Sequence, residues 1–245
     1  MKLFRTIWAI YGMLVFFILW LVLMPFYFLA FATFPKPWRK AIIWFSHQVY
    51  TRLFFTLTLI RIKIYGKEQL DPKQTYIIVS NHVSALDFMV NARAYPGVYK
   101  YLAKRELVKV PVFGYIVRKM CVLVDRKDAR SRAQSIQYLK DTLAEGYSVF
   151  LYPEGTRNRT EKPLLPFHKG AFKIAIESGV PIAIQTITKI KNVNRSAEGF
   201  DLCPGTIEVK WSKPVPVAGL TEKDVPALTK QVREEMLRQL GAEEG

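Results

Sequence analysis

YIIVSNHVSALDFMVNARA, residues 76–94, joins two kinds of pattern without a gap. Tyr76–Ser80 is a short apolar run, rich in Ile and Val and without alternation, as a strand buried on both faces requires. Ser84–Ala94 reads as a helix, with Asn81 or Ser84 available to cap it. A strand that feeds straight into a helix is the first half of an α/β unit. His82 and Asp87 stand at the junction, five positions apart. On a regular helix that offset is about 140°, so the two side chains would diverge. They meet only if His82 lies in the turn and Asp87 in the first helical turns. A carboxylate so placed orients one ring nitrogen and leaves the other basic. The plainer alternative is that Asn81, Ser84 and Asp87 only cap a helix.

The same alternation continues outward. Cys121–Val124, Ser148–Tyr152, Pro181–Thr186 and Thr206–Trp211 read as further strands, and Ala129–Glu145 and Gly170–Ser178 as helices. Thr221-Glu222-Lys223-Asp224 resembles a capping box before a polar helix ending near Leu240. The expected fold is therefore α/β, a mainly parallel sheet flanked by helices. Ligands of such sheets gather at the carboxyl ends of the strands.

Upstream the pattern is different. Residues 6–35 carry no charge and are rich in Leu, Phe, Trp and Ile. As one straight helix they would reach roughly 45 Å, more than a hydrocarbon core of about 30 Å. Pro25 falls inside the run as a kink or stop. A cleaved signal peptide is the alternative, but the run is about twice the usual apolar length of 7–15 residues. A second apolar stretch, Ala41–Ile60, carries Trp44, Phe45, Val49, Leu53 and Leu57 at helical spacing, as an interfacial helix does. Lys2 and Arg5 precede the pair, Lys36, Arg39 and Lys40 separate its members, and Arg61 follows. Charge thus gives no clear orientation. Basic flanks suit a membrane-associated helical hairpin over 1–60 that returns to its own side, ahead of an α/β domain over 61–245. A single span with a juxtamembrane helix is the competitor.

The chain has 36 basic and 20 acidic residues in 245, a net charge of +16, which calls for an anionic partner. Cys121 and Cys203 show no CxxC spacing and read as ordinary reduced thiols. Three histidines are too few for a histidine-rich metal centre. No Walker A, GxGxxG or GxSxG sequence is present. A second polar motif, Leu151-Tyr152-Pro153-Glu154-Gly155-Thr156-Arg157, follows a strand as the first does. Gly155 permits close backbone approach, Thr156 offers a hydroxyl, and Arg157 a fork suited to phosphate. Between the motifs lie AKREL at 103–107, VPVFG at 110–114 and a predominantly basic stretch.

NHVSALD, AKREL…VPVFG, VDR at 124–126, LYPEGTR and GVPIAI at 179–184 occur in the order found in glycerolipid acyltransferases. The chain most resembles the 1-acylglycerol-3-phosphate (lysophosphatidic acid) acyltransferases, over roughly Gly66–Leu240. The resemblance implies His82 as general base and Asp87 as the carboxylate orienting it. It implies Lys104 and Arg157 at positions that hold the acceptor's phosphate. Glu154, Gly155 and Thr156 match a substrate-binding motif, and Arg126 a basic position on the intervening strand. Ile184 replaces a second proline of the fourth motif, and Asn158 stands where a small serine is common. The implied partners are acyl-CoA or acyl carrier protein as donor, lysophosphatidic acid as acceptor, and membrane lipids, with no nucleic acid. Neither cofactor nor metal is implied, and the expected location is the membrane with the site facing the cytoplasm. Three rivals stay open: a sibling acting on glycerol-3-phosphate or another lysophospholipid, a thioesterase, and a membrane-tethered nucleic-acid binder.

Overall fold

The computed structural model describes residues 2–109, 113–124, 129–196 and 201–242. It opens with α1 (Lys2–Thr33) and α2 (Arg39–Leu57), which pack together. There follow β1 (Ile60–Tyr65), β2 (Ile77–Ser80), α3 (Asp87–Ala94), β3 (Tyr99–Lys104), α4 (Phe113–Met120), β4 (Cys121–Val124), α5 (Ala129–Ala144) and β5 (Ser148–Leu151). The chain continues with α6 (Gly170–Ser178), β6 (Ile182–Thr188), the single turn α7 (Ile190–Val193), β7 (Gly205–Trp211) and α8 (Val225–Leu240).

One seven-stranded sheet runs in the order β1-β7-β6-β2-β5-β3-β4. Every pairing is parallel except β6 with β7. The mainly parallel α/β sheet read from the sequence is the fold observed. β2 sits between β5 and β6, fully buried along its length. Its alternate residues serve opposite faces, as the pleat demands. Ile78 joins a core with Phe54, Phe55, Met89, Val90 and Phe150 under α2 and α3. Ile77 and Val79 join Val149, Phe172, Ile184, Val232 and Met236 under α5, α6 and α8. The order of strands reverses about β2, and such a switch point opens a crevice at the strand's carboxyl end.

Two strands were not legible in the sequence. β1 is an edge strand whose partner β7 lies some 140 residues later, in register Ile60↔Gly205 to Tyr65↔Lys210. Only one face of it is covered, and Arg61 and Lys63 occupy the other, a common protection for an edge. β3 is the short YKYLAK between Pro96-Gly97 and a basic stretch. Elsewhere the boundaries move by one to three residues. The helix expected from Ser84 begins at Asp87, and the strand expected over Pro181–Thr186 runs Ile182–Thr188. The capping box at Thr221 and Asp224 forms, and α8 ends at Leu240 on Gly241 in the left-handed conformation at φ 73°.

α1 continues through Pro25 to Thr33. Proline removes one helical donor, and the helix runs on across it. Of the described helices it alone is long and apolar enough to cross a membrane. Ala9, Gly12, Val15, Met24 and Phe31 are its buried apolar positions, while Leu14, Phe17, Ile18, Leu21, Val22 and Phe26 are exposed. Near its start, the buried Arg5 reaches across to the segment around α7. It pairs with Asp201 and donates to the carbonyls of Asn192 at 3.3 Å and Val193 at 3.2 Å.

Candidate active site

The carboxyl end of β2 carries His82 in the turn and Asp87 at the first residue of α3. His82 Nδ1 lies 2.7 Å from Asp87 Oδ2. The same oxygen accepts the backbone N–H groups of Val83 at 2.8 Å and Ser84 at 2.9 Å. The five-residue offset closes because the chain between them is a turn, not a helix. Asp87 is fully buried, and among the described residues its Oδ1 finds no hydrogen-bond partner. Burial therefore raises the Asp87 carboxyl above its ordinary value, and the imidazole and the two amides pull it partly back. An ionised Asp87 takes the Nδ1 proton as acceptor. With the His82 side chain 18% exposed, Nε2 is the nitrogen left for chemistry.

Neighbouring strands lock this turn in place. From β6, the Ile187 N–H donates to Asn81 Oδ1 at 2.8 Å, and Asn81 Nδ2 donates to the Ile187 carbonyl at 3.0 Å. Asn81 thus pins strand to turn and caps nothing. Ser84 Oγ accepts the Leu86 N–H at 3.1 Å and Asn194 Nδ2 at 3.1 Å. From the β5 side, Tyr152 lays its ring on that of His82, centroids 3.9 Å apart and planes 14° from parallel. Tyr152 Oη accepts Asn91 Nδ2 at 2.7 Å, and Gln185 Nε2 donates to Asn91 Oδ1 at 2.6 Å. A line of buried amides therefore runs behind the stacked ring, holding it flat.

The second motif wraps the first. Glu154 Oε1 accepts the His82 N–H and Oε2 the Leu165 N–H, each at 2.8 Å. Glu154 is buried, which raises its carboxyl despite these two bonds. The Asn158 N–H donates to the His82 carbonyl at 2.6 Å. Gly155 holds φ 73°, a conformation that favours glycine, and a Cβ there would lie 2.7 Å from Cδ2 of the exposed His168 ring, which would have to shift. Thr156 is exposed at this loop and Arg157 half-buried. Lys104 closes β3, with its side chain outside the described residues, and Arg126 falls wholly outside them.

His82, Asp87, Glu154 and Gly155 are thus brought together. Sequence reasoning missed Tyr152, Asn91, Asn81 and Gln185 as contributors. Tyr152 was visible as the aromatic ending a strand, but its stack needs β5 beside β2. Below the turn, an apolar cavity of about 240 Å³ is lined by Phe16, Trp20, Tyr50, Phe88, Met89 and Tyr101 among others. Cys121 and Cys203 are both free. Among the described residues, no three His, Cys, Asp or Glu side chains gather as a metal site.

Residues 61–187 match the family model described as acyltransferase. The 1-acyl-sn-glycerol-3-phosphate acyltransferase alpha of Homo sapiens is 34% identical over 180 residues, covering 73% of this chain and 63% of that protein. The beta form of Homo sapiens is 33% identical over 171 residues, covering 69% and 61%. The chain spans less than two thirds of the length of these curated relatives. Among solved structures, the 1-acyl-sn-glycerophosphate (LPA) acyltransferase PlsC from Thermotoga maritima superposes with a TM-score of 0.78 at 22% identity, covering 97% of both chains. At that identity the likeness speaks to the fold.

Proposed function

The chain belongs to the acyltransferase family, and from that premise we propose that it acylates the 2-hydroxyl of lysophosphatidic acid, using an acyl thioester, to give phosphatidic acid. The observation that carries the reading is the 2.7 Å contact between His82 and the buried Asp87 at the carboxyl end of the central strand. The names of the relatives agree with it.

His82 Nε2 takes the hydroxyl proton as the acceptor oxygen attacks the thioester carbonyl. The tetrahedral adduct then collapses, the C–S bond breaks, and the proton passes from the imidazolium to the departing thiolate. A thioester is activated enough for direct attack without an acyl-enzyme. A placed base supplies about 10²–10⁴-fold, and orientation supplies much of the rest. Asp87 fixes the tautomer and stabilises the imidazolium, while Tyr152 covers one ring face.

Arg126 is assigned to substrate binding, and Lys104 and Arg157 to the acceptor's phosphate. Gly155 and Thr156 line its approach. Glu154, with both oxygens taken by backbone amides, contributes by holding the second motif against the turn. The apolar cavity beneath Phe88 is the place for the acyl chain, since it begins one residue beyond Asp87. Residues 1–60 form a membrane-associated hairpin ahead of the catalytic unit at 61–245, with the site on the cytoplasmic side. The exposed apolar face of α1 supports the membrane association. Acyl-CoA and acyl carrier protein are the donor candidates.

The test is acyl transfer by purified, detergent-solubilised protein from a long-chain acyl thioester to lysophosphatidic acid, with His82→Ala alongside. Phosphatidic acid formed by the wild type alone supports both reaction and base. Equal turnover by the two proteins overturns the mechanism. Turnover with glycerol-3-phosphate in place of lysophosphatidic acid reassigns the acceptor.

A further inference from the structure

A second cavity, of about 440 Å³, opens beside the His82 turn and has no part in the scheme above. Its walls are Val83, the loop Asn158–Glu161 after β5, and Lys191, Arg195 and Ser196 after β6. Among the described residues, three exposed cations, Arg159, Lys191 and Arg195, line it, with Glu161 the one carboxylate beside them.

The backbone that carries these cations is fixed. Asn158 donates its N–H to the His82 carbonyl at 2.6 Å, its Oδ1 accepts the Thr160 N–H at 2.9 Å, and its Nδ2 donates to the Lys162 carbonyl at 2.7 Å. Asn194 reaches Ser84 Oγ at 3.1 Å and accepts the Ser196 N–H at 3.1 Å. Arg5 grips the carbonyls of Asn192 and Val193 from below. Both cation-bearing loops are thus bonded to the turn holding His82.

The sheet order gives the cavity its meaning. Lys104 closes β3, on the β5 side of β2. Lys191 and Arg195 follow β6, on the opposite side. Basic residues therefore follow strands on both sides of β2, the strand that leads to His82. A transfer from a phosphate-bearing thioester to a phosphate-bearing alcohol brings two anions to one histidine. Seating them on opposite sides of its strand keeps their charges apart and their reacting ends together. Guanidinium forks and a lysine suit phosphate oxygens.

We propose that this pocket seats a phosphate of the acyl thioester's carrier, the acceptor's phosphate being held on the β3–β4 side. The assignment rests on the acyl-transfer reading and extends it to a distinct anion site.

The experiment compares wild type with the double variant Lys191→Ala/Arg195→Ala and with Lys191→Glu/Arg195→Glu. Both variants alter exposed side chains, and thermal unfolding verifies that they fold. With acyl-CoA, the alanine pair is expected to raise the donor KM about tenfold and the glutamate pair further, with kcat within a factor of about three. The KM for lysophosphatidic acid should not change. With an acyl thioester of N-acetylcysteamine, which carries no phosphate, variants and wild type should perform alike. An unchanged KM for acyl-CoA, or an effect confined to lysophosphatidic acid, overturns the proposal. Calorimetric titration with free coenzyme A separates this failure from that of the reaction itself. Binding by the wild type that is lost in the glutamate pair supports the pocket even if lysophosphatidic acid is not the acceptor, and equal binding by both overturns it.

Discussion

The turn after β2 and the helix α1 reach stability by opposite routes. Between Asn81 and Asp87 nearly every polar group is spoken for, by β6, by the loop after β5 or by Asp87 itself. α1 presents one stripe of apolar residues to the protein and leaves most of its other large apolar side chains bare. In the turn a single atom decides whether a neighbour is satisfied, because a buried group deprived of its partner costs about 1–3 kcal/mol. In the helix the contributions are many, similar and interchangeable. The turn is therefore fragile to one change and the helix tolerant of several.

Asp87→Asn is the sharpest probe of the turn. An amide keeps the shape but no longer stabilises the imidazolium or enforces its tautomer, so turnover should fall by about 10³–10⁴-fold. Stability should move the other way. Burial raises the Asp87 carboxyl above its ordinary 3.8, so the folded state favours the proton. That contribution is full below 3.8 and is lost as pH rises through the raised value. At neutral pH the ionised group is a net cost, and the Asn variant should melt no lower than wild type. Wild-type kcat/KM should fall on the acid side as Asp87 takes up its proton. A variant that is inactive because it is unfolded would break the comparison.

Glu154→Ala strips the N–H groups of His82 and Leu165 of their acceptors together, for an expected loss of about 2–5 kcal/mol in urea unfolding. A loss below about 1 kcal/mol would mean that the two motifs are held by something else. Gly155→Ala forces a left-handed residue and a contact with His168, and should cost about 1–3 kcal/mol by the same measurement. Leu21→Ser on α1 marks the other extreme. Its effect on unfolding in detergent should stay within about 0.5 kcal/mol. Flotation with liposomes should weaken instead, since burying a leucine contributes about 1.5–3 kcal/mol.

The same contrast explains what the sequence disclosed. His82 and Asp87 were legible because a five-residue offset beyond an apolar run has few ways to close. The central strands β2, β5 and β6 announced themselves as short, mainly apolar runs without clean alternation. Asn81 misled, because a polar residue after a strand reads as a cap until Ile187, 106 residues away, is known to lie opposite. Tyr152 and Gln185 contribute through the adjacency of strands, which no local pattern encodes. β1 and β3 were missed for a related reason. Each is short and carries cations, and each owes its place to a partner elsewhere in the chain.

Arg5 bears on the order in which the molecule can be built. The residues it grips, from Asn192 to Asp201, are synthesised almost 200 positions after it. At about 5–20 residues per second, that interval is on the order of ten seconds or more. Through it, the start of α1 has α2 beside it but lacks the segment that Arg5 grips, and β1 waits some 145 residues for β7. An apolar helix left in water for that time would invite aggregation. A lipid interface that receives it at once would act as a holding station, and closure of Arg5 onto its late-made partners would then be among the last events of folding.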